Sequence, residues 1–192
     1  LRIVSDAVKE MSEGELLQIE KSRQLNITEE IYYDVVRKKT ATLIAACTKA
    51  GAYSVNAPQE QVDKMHEFGI NLGIAFQIRD DLLDYEKKNL AGKPTGNDLK
   101  EKKITLPLIY VLNKADHKKK REILRTIKRH HKNERKIAPI VSMVIEEGGI
   151  EYAREKMIEY RDKALEILKT YPESEIRSAL EELVYFTTSR KM

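Results

Sequence analysis

Residues 68–107 read FGINLGIAFQIRDDLLDYEKKNLAGKPTGNDLKEKKITLP. From Phe68 to Ile78 small and apolar residues recur at helical rather than strand spacing, and the run ends in three carboxylates, Asp80, Asp81 and Asp84. Carried on as a helix, the spacing places Asp80 and Asp84 on one face with Gln77 and Gly73, and Asp81 beside them. Like charges so placed repel by roughly 0.2–0.5 kcal/mol each, and removing carboxylates from water beside an apolar wall costs more. A small hard cation with oxygen ligands, Mg²⁺ above all, offsets both terms. Taken alone, such a run reads as a solvated acidic helix face.

The residues after the aspartates change that reading. Gly92-Lys93, then Thr95, Gly96 and Asp98, then Lys102-Lys103-Ile104-Thr105-Leu106-Pro107 make a polar, glycine-containing loop with several cations. Carboxylates for a metal beside lysines for phosphate oxygens suit a diphosphate–Mg²⁺ site. The order FQ-x-x-DD-x-x-D, GK, then D-L-x-E-x-K-x-T-L-P resembles the second aspartate-rich region of the trans-isoprenyl (polyprenyl) diphosphate synthases. GELLQ and the GKPTGNDL loop resemble the long-chain, octaprenyl- or heptaprenyl-like, type.

The resemblance implies a fold, a reaction and a set of site residues. The fold is the C-terminal portion of the isoprenoid-synthase helical bundle. The reaction condenses isopentenyl diphosphate with an allylic diphosphate: Mg²⁺-dependent ionisation, alkylation of the double bond by the allylic cation, then proton loss. It needs no protein nucleophile. Asp80, Asp81 and Asp84 are the implied metal ligands. Lys39-Thr40, within YYDVVRKKTATL, matches a KT pair that helps bind the allylic diphosphate, although alone it reads as a surface lysine and a tolerated threonine. Gln77 is the implied polar contact before the aspartates, with Phe76 read as core, and Lys93 and Lys103 match two downstream lysines. Lys102 stands where a glycine is usual, which either alters the loop turn or adds a phosphate contact. Gly14-Glu15 and Gln18 match a G-E-x-x-Q signature whose supporting role is equally well structural.

Working outward, the whole chain reads as all-α. It has 192 residues, 41% apolar and 34% charged, with only 8 Gly and 5 Pro to interrupt it. One core and a single domain over 1–192 is the default for that size. The expected helices begin with Ile3–Ile19, interrupted at Gly14, with Ile3, Val4, Ala7, Val8, Met11, Leu16 and Ile19 inward. A second starts at Thr28, a good N-cap before two acids, and runs to a C-cap at Gly51. Pro58 opens the helix that leads to the aspartates, where Gly69 and Gly73, four apart, suggest close approach of a neighbour. Helices follow from Pro107, Glu122, Pro139 and Ile150. The last, from Ser174, has Ile176, Ala179, Leu180, Leu183 and Phe186 inward. Cys47, lone and so without an internal disulfide partner, is expected to be a small buried hydrophobe. A reducing, cytoplasmic setting follows from that usage.

Between Lys118 and Lys136 ten Lys/Arg face two Glu, a local charge of +8 in a chain of net +4. The run lacks interleaved aromatics and any nucleic-acid motif, which argues against nucleic acid. It reads as a solvated helix–loop–helix surface and leaves room for a peripheral membrane contact. His130 and His131, within it, are read as surface residues. No apolar run reaches the length of a membrane span.

Members of the family also carry a first aspartate-rich motif, on a facing helix. Here Glu29-Glu30 with Asp34 has the wrong order, and Glu146-Glu147 lacks a third acid. The expectation is therefore a C-terminal fragment that supplies half a metal site, is inactive alone, and belongs to a homodimeric enzyme. Two other readings stay open: a dedicated half-site or non-catalytic subunit, and a helical binding module whose acidic turn is only surface.

Overall fold

The computed structural model describes residues 1–86 and 96–189, and among these the chain is helical with no strand. The order is α1 (Arg2–Gln24), α2 (Glu29–Val36), a π-helical segment (Arg37–Ala41), α3 (Thr42–Ser54), α4 (Gln59–Leu83), α5 (Asn97–Lys100), α6 (Leu106–Lys114), α7 (His117–His130), α8 (Glu134–Glu146), α9 (Gly149–Lys169) and α10 (Glu175–Ser189). Thr28 caps α2 as its sequence implied, its Oγ1 accepting from Ile31 N at 3.3 Å. The helix then continues through the π segment to Ser54, so Gly51 lies inside α3 rather than ending it.

The residues fall into two compact units. The first comprises Leu1–Leu17, Tyr33–Arg79 and the segment from Lys156 onward; the second comprises Gln18–Tyr32 and Asp80–Glu155.

The first unit is built on close helix contacts at small residues. A Cβ on Gly69 would stand 2.4 Å from Ala45 Cα, and one on Gly73 would stand 2.5 Å from Ala41 Cα. These distances are far inside van der Waals contact, so α4 lies backbone-to-backbone against α3 and the π segment. Gly14 does the same for α1, where a Cβ would meet Lys39 N at 2.7 Å. It is a packing residue, not an interruption. The core of the unit joins Phe68 and Leu72 of α4 to Ala164, Leu165 and Leu168 of α9 and Val184 of α10. Full burial of a side chain such as Phe68 or Leu168 contributes roughly 1.5–3 kcal/mol.

Three expected placements are corrected by the structure. On α1 Ala7 is buried as expected, together with Gly14, whereas Val4, Val8, Leu16 and Ile19 are exposed. On α10 the buried residues are Val184 and Thr188, with Ile176 (76% exposed) and Phe186 (68%) facing away. Cys47 is exposed, because α3 buries Thr42, Ala45 and Ala46 and position 47 falls off that face. On α1 and α3 the close-packed face is made of small residues, which a count of large apolar positions does not weigh; on α10 Val184 instead joins Phe68, Leu72, Leu165 and Leu168, with the expected Leu180 packed against them.

In the second unit α6 is buried along most of its length, from Leu106 to Leu112. Pro107 sits in its first turn, where no N–H is needed. Asp116 caps α7, accepting from Lys119 N at 2.8 Å. Ile123 and Ile127 of α7 and Ile137, Ile140, Val141 and Val144 of α8 are buried. Helix α8 starts five residues before Pro139, which it carries in its interior. Tyr110 and Tyr152 stack with ring centroids 4.3 Å apart.

Candidate active site

Helix α4 contributes residues 59–79 to the first unit and its last turn, 80–83, to the second. The sequence-predicted residues accordingly fall into two groups.

In the first unit, Thr40 Oγ1 donates to Gln77 Oε1 at 2.9 Å. Lys39 pairs with Glu15 at 2.6 Å, on half-exposed side chains. Lys39 and Thr40 both lie in the π-helical segment, and such single-turn insertions into α-helix are frequent at functional sites. Glu15 thus has a definite part, holding the Lys39 ammonium. Phe76, expected in the core, is half-buried: its helix turns Ala75 and Ile78 inward instead.

In the second unit the three aspartates have three different surroundings. Asp80 is exposed. Asp81 is buried, 5% exposed, and its Oδ2 accepts from the Tyr32 hydroxyl at 2.6 Å. A short O–H···O⁻ bond of this kind contributes about 1.5–3 kcal/mol and fixes the carboxylate plane. Asp84 lies just past the end of α4, since the helix stops at Leu83. It does not continue the 80/84 face that an unbroken helix would give. Its Oδ1 accepts from Asn97 N at 2.9 Å and its Oδ2 from Asp98 N at 3.0 Å, while its carbonyl accepts from Gly96 N at 3.0 Å. Asp84 therefore caps α5 and ties residues 96–98 back to the end of α4. Burial pushes its carboxyl above the usual carboxylate range, and the two amides act against that shift.

Asp98 joins the aspartates, and reading DDLLD alone misses it. Its carboxyl is pushed up to about 6, first by burial and then by the neighbouring Asp84 carboxylate, with Asp80 adding to it and Lys103 opposing. Four carboxylates thus crowd one region. The signal was present in the D-L-x-E-x-K run, but only the return of the chain to Asp84 brings it into the group.

Lys103 pairs with Glu101 and donates its backbone N–H to Asp98 O at 2.8 Å. Lys102 has φ +61°. The turn expected of a glycine at this position is therefore kept, with a lysine in the left-handed region. Lys93 lies outside the described residues. His131, expected at the surface, is half-buried: its Nδ1–H donates to Lys100 O at 2.6 Å and braces α5.

The donor set is all oxygen and strongly anionic, which suits a hard divalent cation. Among the described residues no three carboxylate, thiol or imidazole side chains are grouped about one point as ligands. Mg²⁺ commonly binds through one or two carboxylates together with substrate phosphates and water rather than in an all-protein cage, so the carboxylates present fit that ion.

Residues 1–144 match the polyprenyl synthetase family model. The chain is 32% identical over its full 192 residues to the short chain isoprenyl diphosphate synthase of Methanothermobacter thermautotrophicus, covering 58% of that protein. It is also 32% identical, over 191 residues, to the octaprenyl diphosphate synthase of Escherichia coli, of which it covers 59%. Among solved structures, the polyprenyl synthase from Caulobacter crescentus CB15 complexed with calcium and isoprenyl diphosphate superposes with a TM-score of 0.91 at 34% identity. That match spans 100% of this chain and 59% of that one. The chain therefore spans somewhat more than half the length of these three relatives. On the family match and on a helical fold shared at this level, the chain belongs to the polyprenyl synthetase family.

Proposed function

We propose that this chain carries half of the metal–diphosphate site of an enzyme that elongates prenyl diphosphates, joining isopentenyl diphosphate to an allylic diphosphate. The observation that carries the reading is the gathering of Asp80, Asp84 and Asp98, where burial first, and then the Asp84 and Asp80 carboxylates, push the Asp98 carboxyl up to about 6. A cation would relieve that repulsion, and the Caulobacter relative was crystallised with calcium and isoprenyl diphosphate.

In this reading Asp80, Asp81 and Asp84 hold Mg²⁺, with Asp98 as an additional carboxylate. Bound there, Mg²⁺ neutralises charge that develops on the departing diphosphate. The chain's own residues orient and support. Tyr32 fixes Asp81, the amides of Asn97 and Asp98 fix Asp84, and Lys103, with Lys93 from the matched motif, supplies positive charge for phosphate oxygens. Lys39, Thr40 and Gln77 are assigned to diphosphate binding on the motif match. The Thr40–Gln77 hydrogen bond, which couples two of the three, supports that assignment.

Transfer of labelled isopentenyl diphosphate to an allylic acceptor is the test. A longer protein that carries this chain should transfer in the presence of Mg²⁺, and Asp81→Asn should lower kcat by about a hundredfold or more, in line with losing one preorganised electrostatic contact. The 192 residues expressed alone should be inactive. Transfer by a mass-verified 192-residue species would falsify the half-site reading. Activity regained only on adding a distinct second polypeptide would favour a dedicated subunit.

A further inference from the structure

The basic run 118–136 has no part in the reading above. It forms α7, the following turn and the start of α8, all in the second unit. Eight of its ten cations are exposed. Among the described residues one of the ten, Lys119, is in an ion pair, with Glu147. A solvated surface of this charge ordinarily carries acids in similar number, whereas here ten cations stand against two glutamates over the run, a net charge of +8.

Between α7 and α8 lies a groove of about 720 Å³, with Ile123, Ile140 and Met143 among its apolar lining and Arg125, Arg129 and Arg135 among its cations. On α8 the exposed residues Ala138, Pro139 and Ile145 add apolar surface beside the charges. A cationic rim with apolar surface next to it matches an anionic amphiphile: phosphate headgroups for the guanidinium groups, the glycerol and upper acyl region for the apolar side chains. Nucleic acid matches it less well. No Phe, Tyr or Trp occurs between Val111 and Glu151, so the surface lacks the large aromatic platforms on which the bases of single strands stack. We propose that the α7–α8 face docks the protein reversibly on membranes rich in anionic phospholipid.

The test is co-sedimentation of the protein that carries this chain with vesicles of phosphatidylcholine alone and of phosphatidylcholine mixed with phosphatidylglycerol. The wild type should sediment with the mixed vesicles only, and less so as salt is raised. Replacing Arg125, Arg129, Arg135 and Lys136 by Glu should weaken partitioning by about a thousandfold or more. All four are exposed, and circular dichroism checks that the variant keeps its helices. Four Lys→Gln or Arg→Gln changes at the same positions give an intermediate loss. The proposal is overturned by equal binding to neutral vesicles, by no binding to either, by a charge-reversed variant that binds as well as wild type, or by a duplex oligonucleotide that displaces the protein from mixed vesicles.

Discussion

At the scale of single residues, Asp98 gives the sharpest consequence. Its folded-state value, about 6, lies above its ordinary 3.8, so the folded protein holds this proton more tightly than the unfolded chain. The stabilisation is present below pH ~4 and is lost as pH rises through about 6. Asp98→Asn should therefore stabilise the protein at pH 7 by about 1–3 kcal/mol, and the difference from wild type should vanish near pH 4. Thermal melts of both proteins across that range check it. Millimolar Mg²⁺ should narrow the gap at pH 7 if the cation binds where the carboxylates crowd. Lys102, at φ +61°, makes a second prediction. A side chain in the left-handed region costs about 1–2 kcal/mol, part of which glycine's extra freedom in the unfolded chain cancels. Lys102→Gly should raise stability by roughly 0.5–1 kcal/mol, measured by urea denaturation. The sequence marked this position as a departure from the family pattern but left two readings open, and the backbone angle removes the first, an altered turn. It likewise named Asp81 as a ligand without any sign of Tyr32, which comes from 49 positions away.

At the scale of helices, glycine spacing was legible, and apolar spacing held on α7, where Ile123 and Ile127 are buried, but misled on α1 and α10. Gly69 and Gly73 announced a close approach, and the structure sets them on Ala45 and Ala41. Gly73→Ala should cost about 2–3 kcal/mol, because the neighbour 2.5 Å from the new methyl is backbone and cannot step aside. Gly51, inside α3 with nothing within 4 Å of where a methyl would stand, is the control. Gly51→Ala should stabilise by about 0.5–1 kcal/mol through helix propensity. A pair of chemical denaturation curves distinguishes the two. The faces of α1 and α10 show why the rest was not readable. Periodicity finds a stripe of large apolar residues, but burial is decided by what packs there. On α1 Gly14 admits the backbone of Lys39 and Ala7 is buried as its spacing implied, but Val4 and Val8 remain outside. The π segment at Arg37–Ala41 has no sequence signature in propensity or pattern, yet it is what carries Lys39 and Thr40.

At the scale of the molecule, the all-α class followed from composition and spacing, and the family followed from one run of motifs between Phe76 and Pro107. Membership now rests on the match over residues 1–144 and on the shared fold. The division into two compact units was not legible, because its boundaries fall within helices rather than at linkers. Among the described residues no helix is long and apolar enough to cross a membrane; the α7–α8 face is the surface whose charge calls for a partner. The central claim is that the aspartate cluster engages a divalent cation together with a diphosphate. Titration calorimetry of the 192-residue chain with inorganic diphosphate, with and without Mg²⁺, tests it most directly. Asp80 is exposed, so Asp80→Asn removes a charge without disturbing the core. Diphosphate binding should require Mg²⁺ and weaken about tenfold or more in Asp80→Asn, the scale of losing a charge-assisted contact. Binding that is indifferent to Mg²⁺, or equally tight in the variant, would contradict the claim.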